Sequence, residues 1–342
     1  MRILIESYNT VIQNTSGGVQ IRIKNFIEHC KKYSLDVKLY NKWHDKVADY
    51  DILHIFKANI EDYQLMKLAK NNNIPVVISS VIPLEKHKNI IMNRIVCKML
   101  PIHTGYRFLN QMLINADAVI AQTKREAEFI NRYYKVSKKR IYVIPNGVNI
   151  QFNKEYKDEF SKRTGIIGKY VLQVGRFDRN KNQLNVIKAM ANSGIPVVFI
   201  GGKDSAQAEY YEECQRLATS NMHFLGWVNH DDPLLASAYQ NTHVVILPSH
   251  KEIFGNSLIE GGSAGANLIA TRELPIDDWG IKDICRCINP NDIENIRENI
   301  VAAYNEPLNP NTSNIINDLF SWDSVINKHL EIYKQLCAKR EA

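Results

Sequence analysis

The chain has 342 residues, enough for two domains of typical size, and its 45% hydrophobic and 23% charged residues exclude collagen-like, low-complexity and disordered classes. No apolar run reaches the roughly 18–20 residues of a membrane-spanning helix, and the apolar stretch after Met1 is too short for a secretory signal, so we expect a cytoplasmic protein. The formal charge of +7 is unevenly distributed. Residues 1–165 contain 27 Lys and Arg against 15 Asp and Glu, whereas the rest of the chain contains 16 Lys and Arg against 21 Asp and Glu.

Short runs rich in β-branched residues alternate along the chain with longer amphipathic stretches. Near-continuous apolar runs separated by helical segments are typical of parallel strands that are covered on both faces. The sequence therefore predicts an α/β protein with two parallel sheets. The predicted strands are residues 2–6, 37–40, 52–55, 76–79, 118–121, 141–144, 170–174, 197–200, 222–224, 244–247 and 268–270.

The two halves meet near residues 145–147, which precede a polar segment, and we predict domains of residues 1–160 and 161–342. The final amphipathic stretch begins at Trp322, and its apolar residues have mostly helical spacing. We expect it to lie along a domain surface and to pack back toward the first domain. Because open parallel sheets bind ligands at the carboxyl ends of their strands, the residues that follow each strand should carry the chemistry.

The most informative segment, residues 247–260, is predicted to form a strand, a loop and a helix start. Its residues 254–257 would present backbone N–H groups at a helix N-terminus, where a phosphate is favoured. Glu252 and Glu260 flank this position, and carboxylates accept hydrogen bonds from sugar hydroxyls. The alternative is a capping box, in which Ser257 caps the helix and Glu260 folds back onto its start.

A second segment, residues 171–183, again predicts a strand, a glycine turn and a helix start. Arg176 and Lys181 would lie at the carboxyl end of the sheet, where cations neutralise a diphosphate and stabilise its charge as it leaves. An exposed basic loop is the alternative. Gly17 and Gly18 follow the first predicted strand, where paired glycines admit a ligand close to the backbone or simply form a turn.

In this order, the segments resemble retaining glycosyltransferases of the GT-B fold, in the large family called glycosyltransferase family 4. The similarity spans nearly the whole chain, and the ordered set is more specific than any single motif. It is carried by Gly17 and Gly18, residues 116–120 and 144–148, residues 174–176 with Lys181, residues 225–228, residues 248–249 with Glu252 and Glu260, and Gly265 with residues 269–271.

The resemblance implies two Rossmann-like domains whose sheets face a cleft, with an acceptor site in the first and a donor site in the second. It implies retaining transfer from a nucleoside-diphosphate sugar, with a UDP-sugar as the first expectation, without a cofactor or a metal. At matching positions, Arg176 and Lys181 would clamp the diphosphate, Glu252 would contact the donor sugar, and Glu260 would bind the ribose hydroxyls; the first three form the expected catalytic set. The other expected donor-binding residues are Gly17, Gly18, Trp227, Val228, Phe254, Gly255, Asn256 and Ser257.

The expected acceptor is a glycan or a lipid-linked glycan of cell-surface polysaccharide synthesis. The basic amphipathic stretch at residues 84–107 can lie on an anionic membrane surface or hold a lipid diphosphate, or it is an ordinary helix packed on the first sheet. Without a recognised nucleic-acid-binding module, its basic charge does not predict nucleic acid as a partner. The candidate acceptor-binding residues are His54, for which a structural role is the alternative, and Lys86, Lys88 and Arg94.

Two other functions stay open from the sequence. One is a nucleotide-sugar-binding protein of the same fold without transferase activity, and the other is a nucleotide-sugar epimerase. Retention of Arg176, Lys181, Glu252 and Glu260 favours an active enzyme over the first of these. A glycan phosphorylase is disfavoured because the chain is too short for that family.

Overall fold

The computed structural model describes residues 1–8, 18–82, 104–148, 156–252 and 254–341. The chain divides into a first unit, Met1–Gly147 with Trp322–Ala342, and a second unit, Val148–Ser321. The predicted boundary after residue 160 lies inside the second unit. Phe160 belongs there because its ring is buried and stacks on Tyr170, with 4.7 Å between the ring centroids.

In its described residues, the first unit contains a six-stranded sheet in which every strand pairing is parallel. The strands are β1 (Arg2–Ser7), β2 (Asp36–Leu39), β3 (Ile52–Phe56), β4 (Val76–Ser79), β5 (Ala118–Ala121) and β6 (Ile141–Val143). Their order is β2-β1-β3-β4-β5-β6. The helices of this part are α1 (Gly18–Cys30), α2 (Tyr63–Asn71), α3 (Gly105–Asn115) and α4 (Lys124–Phe129).

The second unit contains another six-stranded parallel sheet within the part of the chain that the structure describes. Its strands are β7 (Val171–Val174), β8 (Val197–Ile200), β9 (Met222–Phe224), β10 (Val244–Leu247), β11 (Asn267–Thr271) and β12 (Cys285–Ile288), in the order β12-β11-β10-β7-β8-β9. Its helices are α5 (Glu159–Thr164), α6 (Gln183–Met190), α7 (Ala208–Leu217), α8 (Pro233–Asn241), α9 (Asn256–Ser263), α10 (Ile276–Trp279), α11 (Ile293–Asn305) and α12 (Thr312–Phe320).

The predicted α/β class is confirmed, and each of the eleven predicted strands forms with its ends within one residue of the prediction. Strand β12 was not predicted. It lies at the edge of its sheet, and its sequence, Cys285-Arg286-Cys287-Ile288, contains a charged residue and a single β-branched residue. Across the described residues, no helix combines the length and the hydrophobicity needed to cross a membrane.

The last helix, α13 (Trp322–Glu341), belongs to the first unit although it follows the second in the chain. Val325, Ile326 and Tyr333 are buried in a core that also contains Phe26 of α1. The chain leaves and re-enters the first unit at neighbouring points. A Cβ atom on Gly147 would lie only 2.3 Å from the Trp322 ring, and within the second unit Val148 pairs with Ser321 in a parallel bridge.

Three loops of the second unit meet where β7, β8 and β9 end. The N–H of Gly175 donates to the carbonyl of Ile200 at 2.9 Å, and the N–H of Gly201 donates to the carbonyl of Gly226 at 2.7 Å. A Cβ atom on Gly201 would lie 2.0 Å from the Gly175 carbonyl oxygen, so this approach requires glycine. The loop after β7 is thereby fixed to its neighbour.

Gly201→Ala is expected to destabilise the protein by about 2–3 kcal/mol, because the methyl group must displace the backbone of Gly175. The shift in urea or thermal midpoint measures the effect. The control is Gly105→Ala at the start of α3, where an added Cβ meets nothing within 4 Å. Equal midpoints for the two variants would contradict the prediction.

The acidic side chain of Glu6, at the end of β1, is expected to make stability depend on pH. Burial raises its pKa to about 7, and Asp62 and Glu61 nearby add to the shift. Since the folded chain holds the proton more tightly than the unfolded chain, the stabilisation is complete below about pH 4.5 and is lost as the pH rises through about 7. Glu6→Gln should therefore gain stability relative to wild type between pH 5 and 8, in melting-temperature series, whereas exposed Glu128→Gln should run parallel to wild type.

Candidate active site

The loops after β7 and β10 are joined at the carboxyl edge of the second sheet. The His250 N–H donates to the carbonyl of Asn180 at 2.8 Å, and the Asn180 side chain donates to the carbonyl of Lys251 at 3.0 Å. Asn182, with a left-handed φ of 59°, donates through its side chain to the carbonyl of Pro248 at 3.1 Å. These bonds bring the two most informative sequence motifs side by side.

Lys181 and Glu252 form an ion pair between the two loops. Lys181 Nζ lies 2.6 Å from Glu252 Oε2, and the side chains are 26% and 15% exposed, so the pair is reachable from solvent while partly screened from it. The methylene chain of Lys181 runs beside Gly175, and the backbone N–H of Lys181 donates to Asp178 Oδ1 at 2.9 Å. A cation held in this way is positioned before any anion arrives.

Arg176 lies near the same edge and is held by two carboxylates. Its Nε lies 3.2 Å from Asp178 Oδ2 and 3.4 Å from Asp204 Oδ2, whereas the Arg176 side chain is 65% exposed. The two acids fix the inner side of the guanidinium while much of it faces solvent. Sequence reasoning missed both acids; Asp178 stands within the motif, but no local signal marks Asp204, which follows β8.

Glu260 does not form the alternative capping box. Helix α9 begins at Asn256 with Gly255 as its N-cap, so Ser257 lies inside the first turn and does not cap it. Glu260 Oε2 instead accepts from the Tyr239 hydroxyl at 2.7 Å, and Oε1 lies 3.3 Å from His230 Nε2. The carboxylate is 13% exposed, and its remaining lone pairs are suited to accepting further hydrogen bonds.

Tyr239 and His230 are functional candidates that sequence reasoning missed. Burial, together with the Glu260 carboxylate, holds the pKa of Tyr239 well above its ordinary value, so the phenol stays protonated and donates. Tyr239 lies on α8 and His230 in the loop before it, and their role depends on the tertiary fold rather than on a motif. They orient Glu260 at the sheet edge.

The turn before α9 is set by a buried ring and a glycine. Phe254 is buried against Trp279 and Phe320, with ring centroids 5.2 and 5.7 Å apart. Gly255 has a φ of 71°, and a Cβ atom there would lie 2.5 Å from the Leu247 side chain. This turn starts α9 close to Glu252, and the N–H groups of a first helical turn are available to an anion.

The positions of the other predicted donor-site residues say less about a role in binding. Trp227 is exposed beside Gly202, where an added Cβ would lie 3.2 Å from the Trp227 Cβ, and Val228 packs partly buried against the core of the second unit. Asn256 and Ser257 are half-buried in the first turn of α9. Gly18 is the first residue of α1, and Gly17 lies outside the described residues.

The acceptor prediction for His54 needs correction. The imidazole is fully buried, with Nδ1 2.6 Å from the Tyr333 hydroxyl and Nε2 2.8 Å from Ser79 Oγ. Burial holds its pKa well below the ordinary value, so it is a neutral core group with both nitrogens engaged. Lys86, Lys88 and Arg94, like most of residues 84–107, lie outside the described residues.

Comparison with known proteins gives consistent matches along the chain. The family model described as Glycosyltransferase Family 4 matches residues 15–152, and the model described as Glycosyl transferases group 1 matches residues 157–317. The O-antigen chain mannosyltransferase C of Escherichia coli is 24% identical, with 98% of this chain and 99% of the relative covered. The D-rhamnosyltransferase WbpZ of Pseudomonas aeruginosa is 25% identical over 54% of this chain and 47% of its own length.

Two solved structures share the fold. The sucrose-phosphate synthase of Thermosynechococcus elongatus superposes with a TM-score of 0.74 at 18% identity, covering 99% of both chains. The Anabaena protein HepE, in complex with UDP and glucose, gives 0.73 at 14% identity, covering 98% of this chain and 100% of its own. These likenesses confirm the GT-B fold that the family resemblance implies.

Proposed function

Because the chain belongs to glycosyltransferase family 4, we propose that it transfers a sugar, with retention of anomeric configuration, from a nucleoside-diphosphate sugar to a hydroxyl of a glycan or lipid-linked acceptor. The observation that carries this proposal is the ion pair of Lys181 and Glu252, with Nζ and Oε2 2.6 Å apart, at the carboxyl edge of the second sheet. Arg176 on the same loop and the oriented Glu260 supply further groups that suit a diphosphate and a ribose.

The proposed reaction breaks the bond between the anomeric carbon and the diphosphate oxygen. As this bond breaks, negative charge grows on the leaving oxygen, and Arg176 and Lys181 stabilise it. The acceptor hydroxyl forms the new bond from the same face and gives its proton to the departing phosphate. Glu252 holds Lys181 in place and contacts the donor sugar, so the protein acts by positioning and electrostatics without a covalent intermediate or a cofactor.

The proposed donor is a UDP-sugar. A protein of the same fold is named with bound UDP, and carboxylates such as Glu260 accept from ribose hydroxyls in any nucleotide. The end-to-end relative is named as an O-antigen chain mannosyltransferase, which supports a role in cell-surface polysaccharide synthesis and makes a mannose conjugate the first sugar to test. We propose that the enzyme acts in the cytoplasm at the inner face of the membrane, where it would reach a lipid-linked acceptor.

The test is a thermal-shift panel of UDP, GDP, ADP and CMP with their sugar conjugates, followed by turnover with the stabilising donor. A ligand at a hundredfold excess over Kd stabilises the folded state by about 2.7 kcal/mol. Nuclear magnetic resonance of the product then reports its anomeric configuration. Inversion, or no stabilisation by any nucleotide, would overturn the proposal, while interconversion of the free nucleotide sugar would favour an epimerase and binding without turnover a binding protein.

Turnover is expected to persist in EDTA, because Arg176 and Lys181 supply positive charge at the leaving diphosphate. The rate is measured after dialysis against EDTA and again after Mn²⁺ is added. A rate that falls in EDTA and returns with Mn²⁺ would contradict this expectation.

A further inference from the structure

The two outer nitrogens of the Arg22 guanidinium are buried in the first unit without a hydrogen-bond acceptor among the described residues. Arg22 lies on α1 and is 5% exposed, and neither Nη1 nor Nη2 has a partner in the described structure. Burial lowers its pKa to about 10, so it stays charged at neutral pH. Buried charges are normally hydrogen-bonded, because an unpaired one is costly to remove from water. Nη1 and Nη2 therefore keep hydrogen-bonding capacity that an anion would use.

The carboxylate that interacts electrostatically with Arg22 is that of Glu126, and it does not hydrogen-bond to Nη1 or Nη2. Glu126 attracts Arg22 electrostatically, but its oxygens accept from other groups. Its Oε1 accepts from Ser80 Oγ at 2.8 Å and from the Ile82 N–H at 3.1 Å, and its Oε2 accepts from the Gln122 N–H at 2.8 Å. Glu126 therefore balances charge while the guanidinium fork keeps its hydrogen-bonding capacity.

The surroundings of Arg22 are the carboxyl edge of the first sheet. Its Cζ lies 5.3 Å from the ring centroid of Phe56, the last residue of β3. Ser80 and Gln122, which bind Glu126, directly follow β4 and β5. Ligands of open parallel sheets bind at this edge. His54 also interacts electrostatically with Arg22. Burial keeps its imidazole neutral, so it carries no positive charge that would compete for an anion.

We propose that Arg22 binds a phosphoryl group of a substrate at the carboxyl edge of the first sheet. This inference rests on the proposed function and deepens it, because it gives one substrate an anionic group that the first unit binds. A guanidinium fork matches the geometry of two phosphoryl oxygens and binds them more strongly than a neutral donor does. The phosphoryl group belongs either to the acceptor, as in a sugar phosphate or lipid diphosphate, or to the donor diphosphate.

The experiment measures Kd for inorganic phosphate, glucose 6-phosphate and UDP by thermal shift on wild type, Arg22→Met, Arg22→Lys and Lys181→Met. Arg22→Met should raise Kd for phosphate and glucose 6-phosphate at least about tenfold, and Arg22→Lys should fall between it and wild type. If UDP binding is lost only in Lys181→Met, the acceptor carries the phosphoryl group. If UDP binding falls in both variants, the donor carries it.

A second variant tests the inference if Arg22→Met does not fold. Glu126→Gln removes a negative charge that attracts the guanidinium and should tighten phosphate binding, an effect that a purely structural Arg22 would not produce. Unchanged phosphate and UDP affinities in Arg22→Met, or weaker phosphate binding in Glu126→Gln, would overturn the inference. If wild type binds phosphate through Arg22 but no nucleotide, the proposed function fails while the phosphoryl site stands.

Discussion

Lys181→Met is expected to lower kcat by about a hundredfold or more, with a smaller effect on the KM for the donor. Glu252 holds Lys181 Nζ at 2.6 Å, and in the proposed reaction the interaction of this cation with the diphosphate strengthens as negative charge grows on the leaving group. A contribution made mainly in the transition state lowers kcat and kcat/KM together. Steady-state turnover with the donor identified by thermal shift measures the change.

The matched control is Lys188→Met, which removes the same charge from an exposed position on α6. Its kcat should stay close to that of wild type. Glu252→Gln should also lower kcat, because the ion pair that positions Lys181 is lost. Similar rates for Lys181→Met and Lys188→Met would refute the role given to the ion pair.

Glu260→Ala is expected to remove most nucleotide binding, raising Kd at least about tenfold through the loss of charge-assisted hydrogen bonds to the ribose. The carboxylate is oriented by the Tyr239 hydroxyl at 2.7 Å, so Tyr239→Phe should give a smaller increase in Kd. Calorimetric titration with the stabilising nucleoside diphosphate measures both variants.

Glu273→Ala serves as the control, because it removes an exposed carboxylate that follows β11 in the same unit. Its affinity should equal that of wild type. Wild-type affinity in Glu260→Ala would show that this carboxylate is structural, and a Tyr239→Phe variant weaker than Glu260→Ala would shift the main role to the phenol.

The strands were predictable because each buried parallel strand needs a short apolar run, and such runs are visible without knowledge of contacts. Lys181 and Glu252 were predictable as candidates because each follows a strand at the binding edge. Their contact spans 71 positions, and only the hydrogen bonds between the two loops bring them together. Asp204 and Tyr239 have no such local signature, since their roles exist only once β8 and α8 have packed.

The capping-box alternative shows where local reading fails. Ser257 and Glu260 have the right spacing, but Gly255 adopts a left-handed conformation and becomes the N-cap, so the helix starts two residues earlier than that box requires. The Glu260 carboxylate therefore does not fold back onto the helix start and instead accepts a hydrogen bond from the Tyr239 hydroxyl. The acceptor prediction for His54 fails for a different reason, because His54 lies in the middle of β3 and its side chain is fully buried in the core.

The neighbouring positions of Val148 and Ser321, with the Val148 N–H donating to the carbonyl of Phe320 at 2.9 Å, make the second unit a single insertion between Gly147 and Trp322. The two ends of this unit lie side by side, so one pair of junctions defines it as a segment that can be exchanged as a whole. A chimera built at these junctions would keep α13 in the core that it completes. Recombination at these junctions would exchange the second unit while the first unit kept its own core packing.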